Sequence, residues 1–298
     1  MRPPLQTHNV TLGELVGALT LGLVRFVKGH GTENDFVLLP DVADGLDDET
    51  VRTLCDRRRG VGADGVLAIV RVAAPTDGHP RWFMDYRNAD GGLAEMCGNG
   101  IRVFARYLVD SGLEEPGDLL IDTRAGVKTV TVPNAGDITV GMGPATKLPD
   151  AKVQLGGRWW PATGWSMGNP HLVVTDPDVD LAGLDLSGPP AIDPPGAFPD
   201  GVNVEVVERT GPASIRMRVY ERGVGETRSC GTGACAAAVA VMAAQDERSS
   251  YDVDVPGGRL TVTWQPDGDV LLSGPAVLTY AGEYPGEYPG EYLGDIRR

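Results

Sequence analysis

The sequence predicts an α/β (α+β) chain of two pseudo-symmetric lobes, each a mainly antiparallel sheet wrapped around a central helix. Three observations carry that prediction. A cysteine followed by Gly-x-Gly occurs twice, in MCGNG at 96–100 and SCGTG at 229–233. An asparagine precedes each at a similar distance: Asn34 lies 63 residues before Cys97, and Asn169 lies 61 before Cys230. Each cysteine also follows a strand-like segment ending in a polar turn, WFMDYRNADGG and IRMRVYERGVGE, and opens a helix-like one. The same ordered set of strand, turn, cysteine and helix, met twice, marks an internal duplication.

Along the chain, residues 1–22 read as an N-terminal extension. The apolar run at 11–24 is too short to span a membrane and is interrupted by Glu14. It has no basic n-region or clear cleavage site. The N-terminal lobe is expected at 23–144, with a helix at 48–58. In a second helix at 98–110, Ile101, Phe104, Ala105 and Leu108 form an i, i+3, i+4, i+7 stripe closed by Gly112. Alternation at 127–132 (VKTVTV) predicts a strand. The C-terminal lobe is expected at 145–272, with strands at 202–207 (VNVEVV), 214–220 (SIRMRVY) and 259–264 (RLTVTW). Its helix, at 233–245, is so rich in Ala and Val that strands can pack close around it. A strand at 273–282 is expected to return to the first lobe. The EYPG-EYPG-EYLG repeat at 283–294 has no apolar periodicity, so 283–298 is expected to be a disordered tail.

Composition narrows the function classes. A net charge of −15 over 298 residues lacks the basic footprint that nucleic acid requires. The acidic residues are dispersed and read as solvated surface. Four cysteines (Cys55, Cys97, Cys230, Cys235) are too few for a disulfide scaffold of this size, and no C-x-x-C suggests zinc. A reduced, cytoplasmic setting is expected, with neither a membrane nor a nucleic-acid partner. Cys55 and Cys235 read as small buried hydrophobes.

Cys97 and Cys230 read differently. A cysteine at a helix start meets amide N–H groups and the helix dipole, which favour the thiolate. The Gly-x-Gly amides also suit a carboxylate or phosphate. Built twice, this suggests two facing acid/base thiols around one anionic substrate. A thiolate on one face of a planar carbanion and a thiol on the other could exchange a proton at an amino-acid α-carbon. An electron-sink cofactor would need a lysine, but Lys28, Lys128, Lys147 and Lys152 lie in no cofactor motif. No dinucleotide or Walker fingerprint appears either. The expectation is therefore an enzyme with no cofactor and no metal.

Taken in order from about 24 to 282, GHGTENDF, DRRRGVGADG, YRNADGG, MCGNGIR, SMGNPH, DGVNVE, YERGVGETRSCGTGACAAA, PGG and SGPAV resemble the diaminopimelate epimerase family. The resemblance implies a cofactor-independent isomerase that interconverts L,L- and meso-diaminopimelate, for lysine and peptidoglycan. It implies Cys97 and Cys230 as proton donor and acceptor. Gly98 with Asn99, and Gly231 with Thr232, would bind the reacting-centre carboxylate through backbone amides. Asn34, Asn88, Asn169, Asn203, Glu221 and Arg222 would contact the substrate's amino and carboxylate groups, with Arg222 suited to the distal carboxylate. His171 and Glu221 would tune the thiols, and Tyr280 would mark a homodimer contact. One departure stands out: many members read GxDQ where this chain has Gly62-Ala63-Asp64-Gly65, so a glutamine contact is missing and water or backbone would replace it.

Two competing readings remain at this level. A related cofactor-independent racemase or epimerase could act on another amino acid. Alternatively, the thiols could form a redox switch or a metal-binding module.

Overall fold

The computed structural model describes residues 23–40, 46–72 and 78–285. The extension at 1–22 and the repeat from 286 onward lie outside the described residues.

The first lobe opens with β1 (Leu23–Gly31) and β2 (Asn34–Leu39), then α1 (Asp48–Cys55), β3 (Gly65–Arg71) and β4 (Trp82–Asn88). The helix α2 (Gly98–Asp110) follows, then β5 (Gly117–Asp122), β6 (Lys128–Val132) and β7 (Ile138–Pro144). The second lobe runs β8 (Thr146–Leu155), β9 (Arg158–Ser166), β10 (Pro170–Val174), β11 (Ala191–Asp193), β12 (Asn203–Gly211), β13 (Ser214–Glu221) and β14 (Gly225–Thr227). It continues with α3 (Gly231–Ala244), β15 (Ser250–Val255), β16 (Gly258–Trp264) and β17 (Asp269–Gly274). Last comes β18 (Val277–Pro285).

Strand pairing repeats from lobe to lobe. In the first, the order is β18–β1–β2–β3–β4–β5–β6–β7, with β2–β3 and β4–β5 parallel and the other pairs antiparallel. In the second, it is β8–β9–β10–β12–β13–β15–β16–β17, with β10–β12 and β13–β15 parallel at the same two places. The last strands of the two orders, β7 and β17, pair antiparallel and join the lobes. Each is followed by a strand that enters the other lobe: β8 crosses into the second, β18 into the first. The duplication legible in the sequence is therefore a structural one.

The patterns explain which strands are central. In β2, Phe36 and Leu38 face inward while Val37 and Leu39 face an outer layer with α1. A strand covered on both faces reads as a continuous apolar run, as NDFVLL and GVLAIV do. α2 and α3 sit in one core that runs through both lobes. α3 is apolar on every side, as a helix enclosed by sheet must be.

Two expectations are corrected. The first helix stops at Cys55, where the Asp56 N–H bonds the Arg52 carbonyl, rather than reaching 58. Residues 283–285, assigned to the tail, are paired strand, with Leu23 opposite Pro285 and Val24 opposite Tyr284. The edge of β1 supplies partners that the repeat's composition does not announce.

Candidate active site

Cys97 and Cys230 are the N-caps of α2 and α3, both with extended backbone. The Cys97 Sγ accepts from the Gly100 N–H at 3.4 Å, and the Cys230 Sγ from the Gly233 N–H at 3.4 Å. Sulfur thus takes the place usually held by a Ser or Asp oxygen. The two helices meet end to end at Gly98 and Gly231. A Cβ on Gly231 would stand 3.3 Å from the Gly98 Cα and 3.6 Å from the Asn99 nitrogen. First-turn amides have no intrahelical acceptor, so Gly98, Asn99, Gly231 and Thr232 bring two sets of donors to one place.

The first lobe contributes Asn34 at the start of β2. Its Oδ1 accepts from the Cys97 thiol at 3.6 Å and the Asn99 amide at 3.2 Å, while its Nδ2 donates to Asp64 at 2.8 Å. Asn99 also donates across the lobes to the Ser229 carbonyl at 3.1 Å, and Thr32 meets the Ser229 hydroxyl at 2.6 Å. Asn88 ends β4, exposed, opposite Gly65.

In the second lobe, His171 and Glu205 are both fully buried, with Nδ1 and Oε1 2.8 Å apart. His171 Nε2 lies 3.0 Å from the Asn169 Oδ1. Asn203 donates to the Pro170 carbonyl at 3.3 Å and accepts from the Arg222 N–H at 2.8 Å. Glu221 accepts from the Thr227 hydroxyl, and Thr232 lies 3.5 Å from the Cys230 sulfur. The exposed Arg222 guanidinium donates to the Asp200 carbonyl at 3.1 Å. Tyr280 lies apart from this cluster, half exposed on β18, its ring edge-on to Phe26.

The electrostatics reverse one expectation. Burial pushes the Cys97 thiol up to about 11, outweighing the Gly100 and Asn99 amides that favour the thiolate. Burial also pushes Cys230 well above its ordinary value, and Glu221 and Glu205 push it further. Glu221 is itself raised, by burial first and then by Glu205. The helix-start signal is present at both thiols, but desolvation is larger.

Two residues passed over in the sequence act on these thiols. Arg102, fully buried on α2, donates to the Gly98 carbonyl and the Asn99 Oδ1, each at 3.0 Å. Burial lowers it to about 10, and its cation favours the Cys97 thiolate. Glu205 holds His171 beneath α3, and its Oε2 has no hydrogen-bond partner among the described residues. A cation therefore backs one thiol and a carboxylate the other. The remaining cysteines, Cys55 and Cys235, are each raised to about 12 by burial, as apolar core residues should be.

A separate cavity of about 660 Å³, lined by Asp150, Lys152, Thr163, Asp176 and Asp193 among others, includes neither cysteine nor any other residue of this site. Among the described residues no cluster of His, Cys, Asp and Glu is arranged to hold a metal ion, and no helix is long and apolar enough to cross a membrane.

Comparison with known proteins places these features. The family model described as "Diaminopimelate epimerase" matches residues 26–148 and 164–279. The diaminopimelate epimerase of Streptomyces coelicolor is 54% identical over 277 residues, covering 88% of this chain and 95% of its own. That of Mycobacterium ulcerans is 48% identical over 279 residues, covering 87% and 96%. Among solved structures, a hydroxyproline epimerase from Agrobacterium vitis superposes with a TM-score of 0.65 at 16% identity, over 90% of this chain and 94% of that one. A phenazine biosynthesis PhzF-family protein from Enterococcus faecalis gives 0.63 at 14%, over 88% and 99%. At those identities the structural likeness speaks for the fold.

Proposed function

This chain belongs to the diaminopimelate epimerase family, and from that premise we propose that it interconverts L,L- and meso-diaminopimelate by proton transfer between Cys97 and Cys230. The observation that carries the reading is the meeting of two cysteine-capped helix N-termini at Gly98 and Gly231.

The substrate's reacting carboxylate sits against the amides of Gly98, Asn99, Gly231 and Thr232. As the α-proton leaves, negative charge spreads into that carboxylate, where fixed N–H dipoles stabilise it without reorganising. One cysteine, as thiolate, takes the proton. The other, as thiol, delivers its own to the opposite face, so the product has inverted configuration and the two sulfurs have exchanged protonation states. Burial keeps both thiols protonated in the protein's own field. The substrate ammonium, held near Glu221, supplies the positive charge that makes a thiolate accessible. On this reading the reaction needs no cofactor.

Arg222 with Asn88, Asn169 and Asn203 favours a substrate carrying a second amino-acid head over a one-headed amino acid. On this reading Arg222 holds the distal carboxylate in a two-pronged contact. We read Tyr280, exposed on β18, as part of a homodimer contact, and the cytoplasm as the setting in which the free thiols work. The test is an epimerisation assay on L,L-diaminopimelate with chelator-dialysed, pyridoxal-free protein. Formation of the meso isomer supports the reading, and no turnover under those conditions contradicts it.

A further inference from the structure

The missing side chain at Gly65 has a replacement in the fold. A Cβ on Gly65 would stand 2.6 Å from the Arg87 carbonyl oxygen and 2.7 Å from the Cε2 of Tyr86. A side chain at 65 would therefore meet both the Arg87 backbone and the Tyr86 ring, and the ring fills the space beside Gly65. Cε2 neighbours the carbon that bears the hydroxyl, so the polar end of the ring lies over Gly65. From there the site is continuous: Asp64 adjoins Gly65 and holds Asn34, which accepts from the Cys97 thiol. The ring is pinned edge-on against Phe36, with centroids 5.9 Å apart.

The pseudo-symmetry says what position 65 is for. Phe36 pairs with Gly65 in the first lobe, and His171 with Asn203 in the second. Gly65 lies opposite Asn88, as Asn203 lies one step from the Val204–Tyr220 pair that precedes Glu221. Asn88 and Glu221 each stand nine residues before their cysteine. Gly65 is thus the counterpart of Asn203, and Tyr86 of Val219. The second lobe has a polar side chain at the site position and a small one two residues up the neighbouring strand. In the first lobe the sizes are exchanged.

We propose that Tyr86 is a substrate-contacting, specificity-determining residue, whose hydroxyl donates a hydrogen bond to the amino-acid head of the substrate on the Cys97 side, where the second lobe uses Asn203. This rests on the proposed function. Among the described residues no group hydrogen-bonds that hydroxyl, although Tyr86 is only 8% exposed. Burial, then Cys97 and Glu221, hold the phenol well above its ordinary pKa, so it stays a donor.

The test compares kcat and KM on diaminopimelate for wild type and Tyr86→Phe, with Tm alongside. Wild-type turnover tests the function; the ratio of variant to wild type tests Tyr86 alone. Tyr86→Phe should lower kcat/KM by about tenfold, mainly through KM, with Tm unchanged, because only a hydrogen bond to substrate is lost. The inference is overturned if Tyr86→Phe keeps kcat/KM within about twofold of wild type.

Discussion

Gly98 and Gly231 are in backbone contact across the two lobes: a Cβ on Gly98 would stand 3.6 Å from the Gly231 Cα, and one on Gly231 would stand 3.3 Å from the Gly98 Cα. The approach sets how far apart the two capping sulfurs can be. It also brings the positive ends of two helix dipoles together, an arrangement that favours an anion between them.

A methyl group at that contact should therefore harm catalysis more than folding. Gly231→Ala places a Cβ 3.2 Å from the Leu272 Cδ2, which can yield, and 3.3 Å from the Gly98 backbone, which cannot. Overpacking of this kind costs about 1–3 kcal/mol of stability. We expect a folded protein with kcat/KM lowered by at least about tenfold, since a shift of about 1 Å in reacting groups is enough for that. Kinetics together with a thermal melt would check it.

Glu205 should act on Cys230 through charge. Glu205→Gln keeps a hydrogen-bonding oxygen for His171 but removes the buried negative charge that raises the thiol. The Cys230 pKa should fall, and Cys230 should be alkylated faster at pH 8–9, while Cys97 changes little. Glu205→Leu should instead lower stability by about 1–3 kcal/mol, by leaving His171 Nδ1 buried without its partner. Mass-spectrometric alkylation rates for each cysteine would separate the two effects.

The free enzyme's thiols should be slow nucleophiles near neutral pH. A raised pKa means less thiolate at a given pH, so iodoacetamide should modify both sites more slowly than a free cysteine at pH 8. Cys97 is half-buried and raised to about 11, and Cys230 is buried and raised further. Cys97 should therefore react first, its rate climbing with pH until about 11. A Cys97 rate that levels off below pH 8 would contradict this.

Much of the site was legible because its chemistry is local in sequence. A cysteine before Gly-x-Gly can cap a helix: α2 begins at Gly98 as expected, while α3 begins at Gly231, two residues before the expected 233. Residues whose roles depend on enclosure were not legible. Arg102 lies off the stripe of Ile101, Phe104, Ala105 and Leu108, yet the sheet surrounds α2 and buries it. Glu205 alternates with Val204 and Val206, which sets it on the same strand face as Asn203. That signal was present, but only the second buried face of β12 makes a carboxylate there significant. The thiolate expectation failed for the same reason, because a motif shows the amides around a sulfur but not the water excluded from it.

The central claim is that two thiols act on opposite faces of one carbon, and proton bookkeeping in heavy water tests it most directly. Starting from L,L-diaminopimelate and, separately, from the meso isomer, early product should carry solvent deuterium at the α-carbon while unreacted substrate stays mostly protiated. Cys97→Ala and Cys230→Ala should each abolish epimerisation, leaving at most slow exchange into the one stereoisomer that faces the surviving thiol. Direct return of the original proton to product, or substantial epimerisation by either variant, would contradict the two-thiol account.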